Sequence, residues 1–350
     1  MPDIFYISRV LGLTAISFIF ALAWTPVLMH FLYKYRLGKQ IRTKGVPVFV
    51  KFHKKKEGTP TMGGILIWGT VLFITLLFWI LAKIGQGTIL ESFNFLTRKE
   101  TLLPLGALIA SALVGLGDDL LGIFKIGPNG GGLKVRHRLL IYTFIAAFGA
   151  WWFFAPYNLD WHVIKIPFFG VFDIGAWYIL VFVFILVATA HSTNLTDGLD
   201  GLVGGILLIA FASYGVIAFF QGKVDLAAFC GVIIGALLAF LWFNIHPARF
   251  FMGDTGAMSL GITLGIIAML TNAFLILPFI FFIPVIESLS VIIQITSRKI
   301  RNKKVFLSAP IHHHFEAKGW PESKITMRFW MVNGVMAVIG LIIIFIEKIL

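Results

Sequence analysis

Long apolar runs alternate with short polar stretches along the whole chain. Each run is close to the roughly 20 residues that a helix needs to cross the hydrocarbon core of a bilayer. No polar stretch between them reaches the length of a folded domain. The pattern predicts an all-α polytopic membrane protein, one integral membrane domain over residues 1–350, with about ten transmembrane helices centred in residues 10–32, 62–82, 102–121, 138–155, 176–191, 202–220, 226–243, 257–275, 276–298 and 329–347.

Composition supports this class and narrows the partners. The 350 residues are 59% hydrophobic and only 13% charged, with 36 Phe, far from the averages of soluble proteins. The net charge is +13, but the basic residues cluster in loops and form no DNA-binding motif, so nucleic acid is not a predicted partner. The first apolar run is too long for a signal peptide, and its basic cluster follows it, which predicts a retained helix.

The distribution of Lys and Arg predicts the topology. Most of the 29 basic residues follow odd-numbered runs, densely so at Lys34–Lys56 and Arg298–Lys304. Basic loops stay on the cytoplasmic side of a membrane, which places five loops there and both termini outside. The polar motifs that follow runs three, five, seven and nine should therefore meet at the cytoplasmic face and form one site.

Those motifs are rich in carboxylates. Asp118 and Asp119 end the third run, and because neighbours on a helix point about 100° apart, both cannot grip one ion alike. Asp254 lies between Gly253 and Gly256, which allow close backbone approach of a ligand. Carboxylates close together repel each other unless a cation is present, and Mg²⁺ or Mn²⁺ suits an all-oxygen ligand set.

The stretch Asn194–Gly201 interrupts two apolar runs with an amide, a hydroxyl and two carboxylates. If a helix begins within it, Asp197 and Asp200 share one face near the helix N-terminus, where backbone N–H groups favour anions. A loop with a capped helix start is the structural alternative.

The histidines and one buried-looking acid leave two interpretations each. Consecutive residues His312, His313 and His314 point in different directions, so hydrogen bonds to phosphate or sugar oxygens are favoured over a zinc site. Glu287 lies inside the ninth run, which also carries Pro278 and Pro284 and should be kinked. A carboxylate there must be paired or face a wet cavity, so it is either a site residue or a hydrogen-bond partner for a neighbouring helix.

Basic loops flank these acids. Lys56 and Thr61 adjoin the turn at the start of the second run and are the residues of that loop expected to touch a ligand. A second set could neutralise a pyrophosphate beside the flexible stretch 127–132, although a solvated loop is the default: Lys125, Lys134, Arg136 and Arg138. No Walker or dinucleotide-binding pattern is present. On the opposite face, residues 158–173 predict a small hairpin or an interfacial segment.

Five ordered motifs give the chain a family resemblance: GTPTMGG at 58–64, GDD at 117–119, NLTDGLDGL at 194–202, WFNIHPARFFMGDTG at 242–256 and APIHHHFE at 309–316. They resemble those of the polyprenyl-phosphate N-acetylhexosamine-1-phosphate transferases. The histidines followed by Phe315 and Glu316 favour the phospho-N-acetylmuramoyl-pentapeptide branch of that group.

The resemblance implies a phosphoglycosyl transferase of the bacterial cytoplasmic membrane that works in peptidoglycan synthesis. Such an enzyme moves phospho-MurNAc-pentapeptide from UDP-MurNAc-pentapeptide to undecaprenyl phosphate, giving lipid I and UMP. By the same resemblance Asp254 holds Mg²⁺, and Asp118 is the base with Asp119 close by. Substrate contacts fall to Lys56, Thr61, Lys125, Lys134, Asn194, Asp197, Gly198, Leu199, Asp200, Asn244, Phe251, His312, His313 and His314.

Two rival functions are kept. A sister enzyme would transfer GlcNAc-1-phosphate to the same lipid with similar metal chemistry. A lipid or solute transporter would also place polar groups near helix breaks, but would concentrate them near the bilayer midplane. The sequence leaves open the oligomeric state, a homodimer included, and the choice between a one-step and a two-step mechanism.

Overall fold

The computed structural model describes residues 4–38, 56, 58–127, 131–155 and 161–349. Residues 39–55, which make up most of the basic stretch Lys34–Lys56, lie outside the described residues. So do 128–130 at the tip of the glycine-rich stretch and 156–160, which include the first three residues of the segment predicted as a hairpin. The described chain forms α-helices and one short hairpin. The helices are α1 Ile4–Lys34, α2 Gly64–Ile84, α3 Leu102–Ile123, α4 Val135–Phe154, α5 Trp177–Thr196, α6 Leu202–Phe220, α7 Val224–Asn244, α8 Gly253–Leu270, α9 Leu277–Ile280, α10 Phe282–Arg301, α11 Ile311–Ala317 and α12 Glu322–Ile349.

Eight of these helices are long and apolar enough to cross a membrane: α1, α2, α3, α5, α6, α7, α8 and α12. The bent pair Phe274–Ile280 and Phe282–Arg301 qualifies together as a ninth, broken span. The helix α4 has 20 residues and lies where the fourth span was predicted. The all-α polytopic class is thus confirmed, whereas the count of ten spans and the side of the termini stay predictions.

The core of the fold is α8. Every residue of this helix is buried except Asp254 in its first turn. A helix that is apolar all round belongs inside a bundle, and α8 packs against α2, α3, α5 and α6. Its start therefore presents a single unburied carboxylate at the point where the ends of several neighbouring helices meet.

The predicted kink in the ninth run is confirmed. The chain turns by 86° between Phe274–Ile280 and Phe282–Arg301. Pro284 lies in the first turn of α10, where a helix tolerates the missing N–H. One face of α10 is polar and buried (Glu287, Ser290, Gln294 and Ser297). The opposite face is apolar and exposed, with Leu289, Ile292, Ile293, Ile295 and Ile300.

The predicted hairpin is confirmed within the described residues, whereas the side of the membrane on which it lies stays a prediction. Strand β1 (Val163–Ile166) pairs antiparallel with β2 (Gly170–Asp173). The side chain of Asn272, after α8, accepts from the Lys165 N–H at 3.1 Å. This bond fixes the hairpin to the end of α8 that lies opposite Asp254.

Candidate functional site

Four helix ends bring the predicted acids together. Asp118 and Asp119 lie in the last turns of α3, Arg138 in the first turn of α4, Asn194 in the last turn of α5, and Asp254 in the first turn of α8. These motifs are distant in sequence but lie at the same end of the bundle. The predicted convergence of the loop motifs is therefore seen for these residues.

The centre of this group is Arg138, and we call Arg138, Asp118, Asp254 and Asn194 the arginine cluster. The Arg138 Nε lies 2.6 Å from Asp118 Oδ2, and one terminal nitrogen lies 2.8 Å from Asp254 Oδ2. The other terminal nitrogen donates to Asn194 Oδ1 at 3.2 Å. The planar guanidinium can hold both acids at once because it presents several donors in a fixed geometry.

The two acids of this cluster differ in exposure. The Asp118 side chain is fully buried, and its Oδ1 accepts the Leu133 N–H at 2.6 Å. The Asp254 side chain keeps 19% exposure. The Asn194 amide also donates to Asp254 Oδ1. Asp254 is thus the acid that remains open to a ligand, while Asp118 lies behind it.

Asp119 has a different role from its neighbour. Its Oδ1 accepts the Asp254 N–H at 3.1 Å, and its Oδ2 accepts the Thr255 N–H at 3.0 Å. Asp119, a residue of α3, therefore caps the N-terminus of α8. The positive end of the α8 dipole stabilises its negative charge. Gly253 makes this approach possible, since its φ is 75° and a Cβ there would lie 2.6 Å from Asp119 Oδ2.

A second group lies nearby, and we call Lys56, Asp200, Glu322 and His246 the lysine cluster. Lys56 Nζ lies 2.6 Å from Asp200 Oδ1 and 2.5 Å from Glu322 Oε1. Asp200 Oδ2 faces His246 Nδ1 at 2.9 Å and accepts the Ala248 N–H at 3.1 Å. The cluster joins the α1–α2 loop, the α5–α6 turn, the α7–α8 connection and the start of α12.

The lysine cluster has the geometry of a metal site but already contains a cation. Among the described residues, ligand atoms of Asp200, His246 and Glu322 lie within 4.8 Å of one another, as they would around an ion. Burial favours a raised pKa for Asp200, but the Lys56 ammonium, the Ala248 N–H and His246 outweigh it and lower that pKa. Lys56 therefore already supplies positive charge to the two carboxylates of this cluster.

Three further predicted residues pack the same region together. Asn244 accepts the Gly201 N–H at 3.0 Å and donates to the Phe250 carbonyl at 2.8 Å. Phe251 pairs through its backbone with Pro60 and Gly63, and its ring lies 5.7 Å from Lys56 Nζ. Thr61 is buried, and its hydroxyl lies against Gly253. They hold the described end of the α1–α2 loop against the α7–α8 connection.

The three histidines of α11 point in different directions, as predicted. His312 is buried and lies with Nδ1 3.1 Å from Glu287 Oε2, while His313 Nδ1 lies 2.5 Å from Glu316. His314 Nδ1 accepts the Leu307 N–H at 3.1 Å. The His312 ring presses on Gly198, where a Cβ would lie only 2.3 Å from Nε2.

The turn between α5 and α6 differs from the sequence prediction. Asp197 and Asp200 share no helix face, because α5 continues to Thr196 and α6 begins only at Leu202, which leaves both acids in the turn between them. The helix runs further than the apolar pattern because Ser192, Thr193 and Thr196 are buried and bond within their own element or to α10. Leu199, in the same turn, is buried.

Of the basic set near the glycine-rich stretch, only Arg138 is seen to contact the acids in the described part of the chain. Lys125, Lys134 and Arg136 are exposed, and their predicted role stays a prediction. Sequence reasoning did not single out Glu322 or His246. His246 lies within the motif at 242–256. Nothing in the sequence pairs Glu322 with Lys56 or Asp200, which lie more than a hundred positions away.

Two sequence models of known protein families match the segments that carry these residues. The signature of phospho-N-acetylmuramoyl-pentapeptide transferases matches residues 56–67, which include Lys56 and Thr61. The sequence model of Glycosyl transferase family 4 matches residues 101–272, which carry the arginine cluster and Asp200.

Relatives that match nearly the whole chain identify its family. A phospho-N-acetylmuramoyl-pentapeptide-transferase of Chloroflexus aggregans is 39% identical over 345 residues, covering 95% of this chain and 89% of the relative. The chain belongs to the phospho-N-acetylmuramoyl-pentapeptide transferase family. The Geobacillus kaustophilus member is 39% identical, with 94% of this chain and 96% of the relative covered. In this family the protein is a membrane-embedded phosphoglycosyl transferase.

Proposed function

We propose that the protein transfers phospho-MurNAc-pentapeptide from UDP-MurNAc-pentapeptide to undecaprenyl phosphate, forming lipid I and releasing UMP. This would be the first membrane step of peptidoglycan synthesis, at the cytoplasmic face of the bacterial inner membrane. The single observation that carries the chemistry is the arginine cluster, where Arg138 joins Asp118 and Asp254 at the end of a membrane bundle. The name that the protein's relatives carry, phospho-N-acetylmuramoyl-pentapeptide-transferase, supports the choice of the transferred group.

The position of the cluster suits one soluble and one lipid substrate. It lies at the ends of α3, α4, α5 and α8, where a bilayer-spanning bundle meets water. A nucleotide sugar can reach it from the cytosol, and a lipid phosphate can reach it along the membrane surface. Phosphoryl transfer mainly requires that these two groups be positioned and their charge neutralised.

A divalent metal, Mg²⁺ with Mn²⁺ as a substitute, fits the residues of the arginine cluster. The donors there are carboxylate and amide oxygens, the ligands such ions prefer. Two acids and a single cationic side chain leave the group short of positive charge once a pyrophosphate arrives. Asp254, the more exposed acid, would hold the ion, which would stabilise the charge on the transferred phosphoryl group.

We favour direct attack of the lipid phosphate on the β-phosphorus of the nucleotide sugar. An oxygen of the lipid phosphate forms the new P–O bond as the bond to the bridging oxygen breaks, and UMP leaves with that oxygen. Asp118 would take the last proton of the lipid phosphate, whose second pKa is about 6. Arg138 lies between Asp118 and Asp254 and would turn toward the phosphates as they enter.

The nucleotide would lie between the two clusters. Phe251 would stack on uracil, with Lys56, Asp200 and Asn244 behind it, and Asn194 and Asp197 would face the phosphates. Gly198, Leu199 and Thr61 would shape the wall, and His312, His313 and His314 would border the pyrophosphate and sugar. Lys125 and Lys134 would approach from the segment between α3 and α4.

The test offers purified protein, undecaprenyl phosphate and Mg²⁺ to each of two nucleotide sugars. We expect UMP and lipid I from UDP-MurNAc-pentapeptide, with no turnover of UDP-GlcNAc. Turnover of UDP-GlcNAc alone would establish the sister transferase instead. Movement of lipid across vesicles without UMP release would identify a transporter.

A further inference from the structure

The ninth run buries a carboxylate that the proposed chemistry does not use. Glu287 of α10 is 0% exposed and His312 of α11 is 1% exposed. A buried charge is costly unless it is paired and hydrogen-bonded. The contacts of Glu287 therefore have to offset the free-energy cost of burying its carboxylate.

Glu287 faces His312 at two points, through an ion-pair contact with the ring and a hydrogen bond from the backbone N–H. Its Oε2 lies 3.1 Å from His312 Nδ1 and 3.5 Å from the His312 backbone nitrogen. Because an ionised carboxylate oxygen can only accept, the Nδ1 atom facing it carries a proton. The pair fixes both the rotation of the ring and the side of it that faces away from α10.

The opposite edge of the ring faces the turn between α5 and α6. Nε2 is buried with no hydrogen-bond partner among the described residues, and it lies against Gly198. Any side chain at position 198 would collide with the ring. Next to Glu287, Ser288 is bonded to Ser192 of α5 at 2.7 Å, two residues before Asn194. Adjacent residues of α10 thus hold both α5 and α11 against the pocket.

We propose that Glu287 is a positioning residue that acts through His312, holding it doubly protonated with its Nε2–H directed at the Asp197–Gly198 turn. This turn is the wall of the substrate pocket, so the inference rests on the proposed function. The seven-residue helix α11 is too short to fix its own orientation. The pair supplies that orientation from the longer α10.

The surrounding charges agree with this arrangement. Burial would lower the pKa of His312, but three carboxylates outweigh it and raise that pKa: Glu287 of α10, Glu316 of α11 and Glu322 at the start of α12. His312 therefore keeps its second proton to a higher pH than an ordinary histidine. Removal of the Glu287 charge lowers that pH.

The experiment measures kcat for lipid I formation against pH in the wild type and in Glu287→Gln. The amide keeps nearly the same shape as the carboxylate but carries no charge. We expect kcat to fall about 10- to 100-fold, the usual effect of removing a group that orients a functional histidine. The alkaline limb of the profile should move to lower pH, which a space-filling role of Glu287 would not cause.

Ser290→Ala is the matched control, because Ser290 is a buried polar residue of α10 whose hydroxyl, among the described residues, bonds within its own helix to the Glu287 carbonyl. Its profile should superimpose on that of the wild type. Superposition of the Glu287→Gln profile on the wild type would overturn the inference, whatever the absolute rate. A wild type that makes no lipid I would instead contradict the proposed function.

A second pair of variants covers the case in which Glu287→Gln folds poorly. In Glu287→Asp the charge remains but is drawn back by one methylene, so kcat should fall while the alkaline limb stays in place. In a His312→Gln background, Glu287→Gln should cause no further loss of kcat. Multiplication of the two losses would contradict action through His312.

Discussion

The arginine cluster and the lysine cluster each place one cation between two carboxylates at the same end of the bundle, yet they are built for different tasks. The arginine cluster joins helix ends, and its Asp254 keeps 19% side-chain exposure. The lysine cluster joins loops and connections, and its Asp200 is 3% exposed with both oxygens occupied. The arginine cluster therefore keeps a partly exposed carboxylate, while Asp200 of the lysine cluster is closed off from solvent.

This difference teaches that carboxylate clustering alone does not locate a metal. By distance alone, Asp200, His246 and Glu322 form the better cation cage in the described residues. Lys56 Nζ already lies within 2.6 Å of a carboxylate oxygen of both Asp200 and Glu322, so an added ion would have to displace it. The arginine cluster holds fewer ligand atoms in place, but Asp254 can turn toward an incoming ion. The comparison predicts loss of catalysis from one cluster and loss of stability from the other.

The largest effect is expected for Asp254→Asn. Loss of the metal-binding charge should reduce kcat by about 1000-fold or more, because a bound ion contributes several kcal/mol to charge stabilisation in the transition state. UMP release measured across a Mg²⁺ titration checks this. The control Asp173→Asn alters an exposed acid of the outer hairpin and should leave the rate unchanged. Wild-type release by Asp254→Asn would contradict the assignment.

Arg138→Ala should come next. It leaves Asp118 buried without its cation and removes a charge that faces the phosphates, so we expect kcat to fall about 100-fold. Arg138→Lys keeps the charge but loses the planar geometry that reaches both acids. Its kcat should lie between that of the wild type and that of Arg138→Ala. Equal kcat in all three proteins would remove Arg138 from the centre of the site.

Lys56→Ala should act mainly on stability. It leaves Asp200 and Glu322 facing each other without a cation, and breaking such a buried arrangement costs about 3 kcal/mol. The thermal midpoint in detergent should drop more than for Asp254→Asn, which removes a partly exposed charge. A drop in kcat with an unchanged midpoint would mean that the lysine cluster is also catalytic.

Asp119→Ala tests whether this acid is a cap and not a base. Loss of a helix cap costs about 1 kcal/mol of stability. Asp119→Ser, which can still accept backbone N–H bonds, should recover part of both stability and rate. If Ser is as inactive as Ala at full stability, the Asp119 charge itself takes part in the chemistry.

The smallest effect concerns acid stability. Because the pKa of Asp200 is lowered in the folded protein, its stabilising contribution is present above the unfolded value of about 3.9 and disappears as the pH falls through the lower folded value. The difference in thermal midpoint between wild type and Asp200→Asn should stay constant from neutral pH to about pH 5. A difference that shrinks across that range would mean that Lys56 does not hold Asp200 ionised.

Much of the fold could be predicted from the sequence. The apolar runs predicted α6 at 202–220 without error, since its ends coincide with the polar stretches on either side. The hairpin and the kink before α10 followed from their turn residues. The end of α5 was placed too early because buried hydroxyls in its last turns read as a polar break.

The sequence by itself determined that an apolar helical bundle carries its acidic, basic and histidine motifs at one end. Apolar runs must span the bilayer, and polar groups must lie outside its hydrocarbon core. Only the tertiary structure decided how these groups are paired. Asp118 and Asp119 are neighbours in the chain, yet one faces Arg138 and the other caps α8, because helix geometry turns them toward different partners. Glu322 and Glu287 gained their partners through contacts that no sequence spacing encodes.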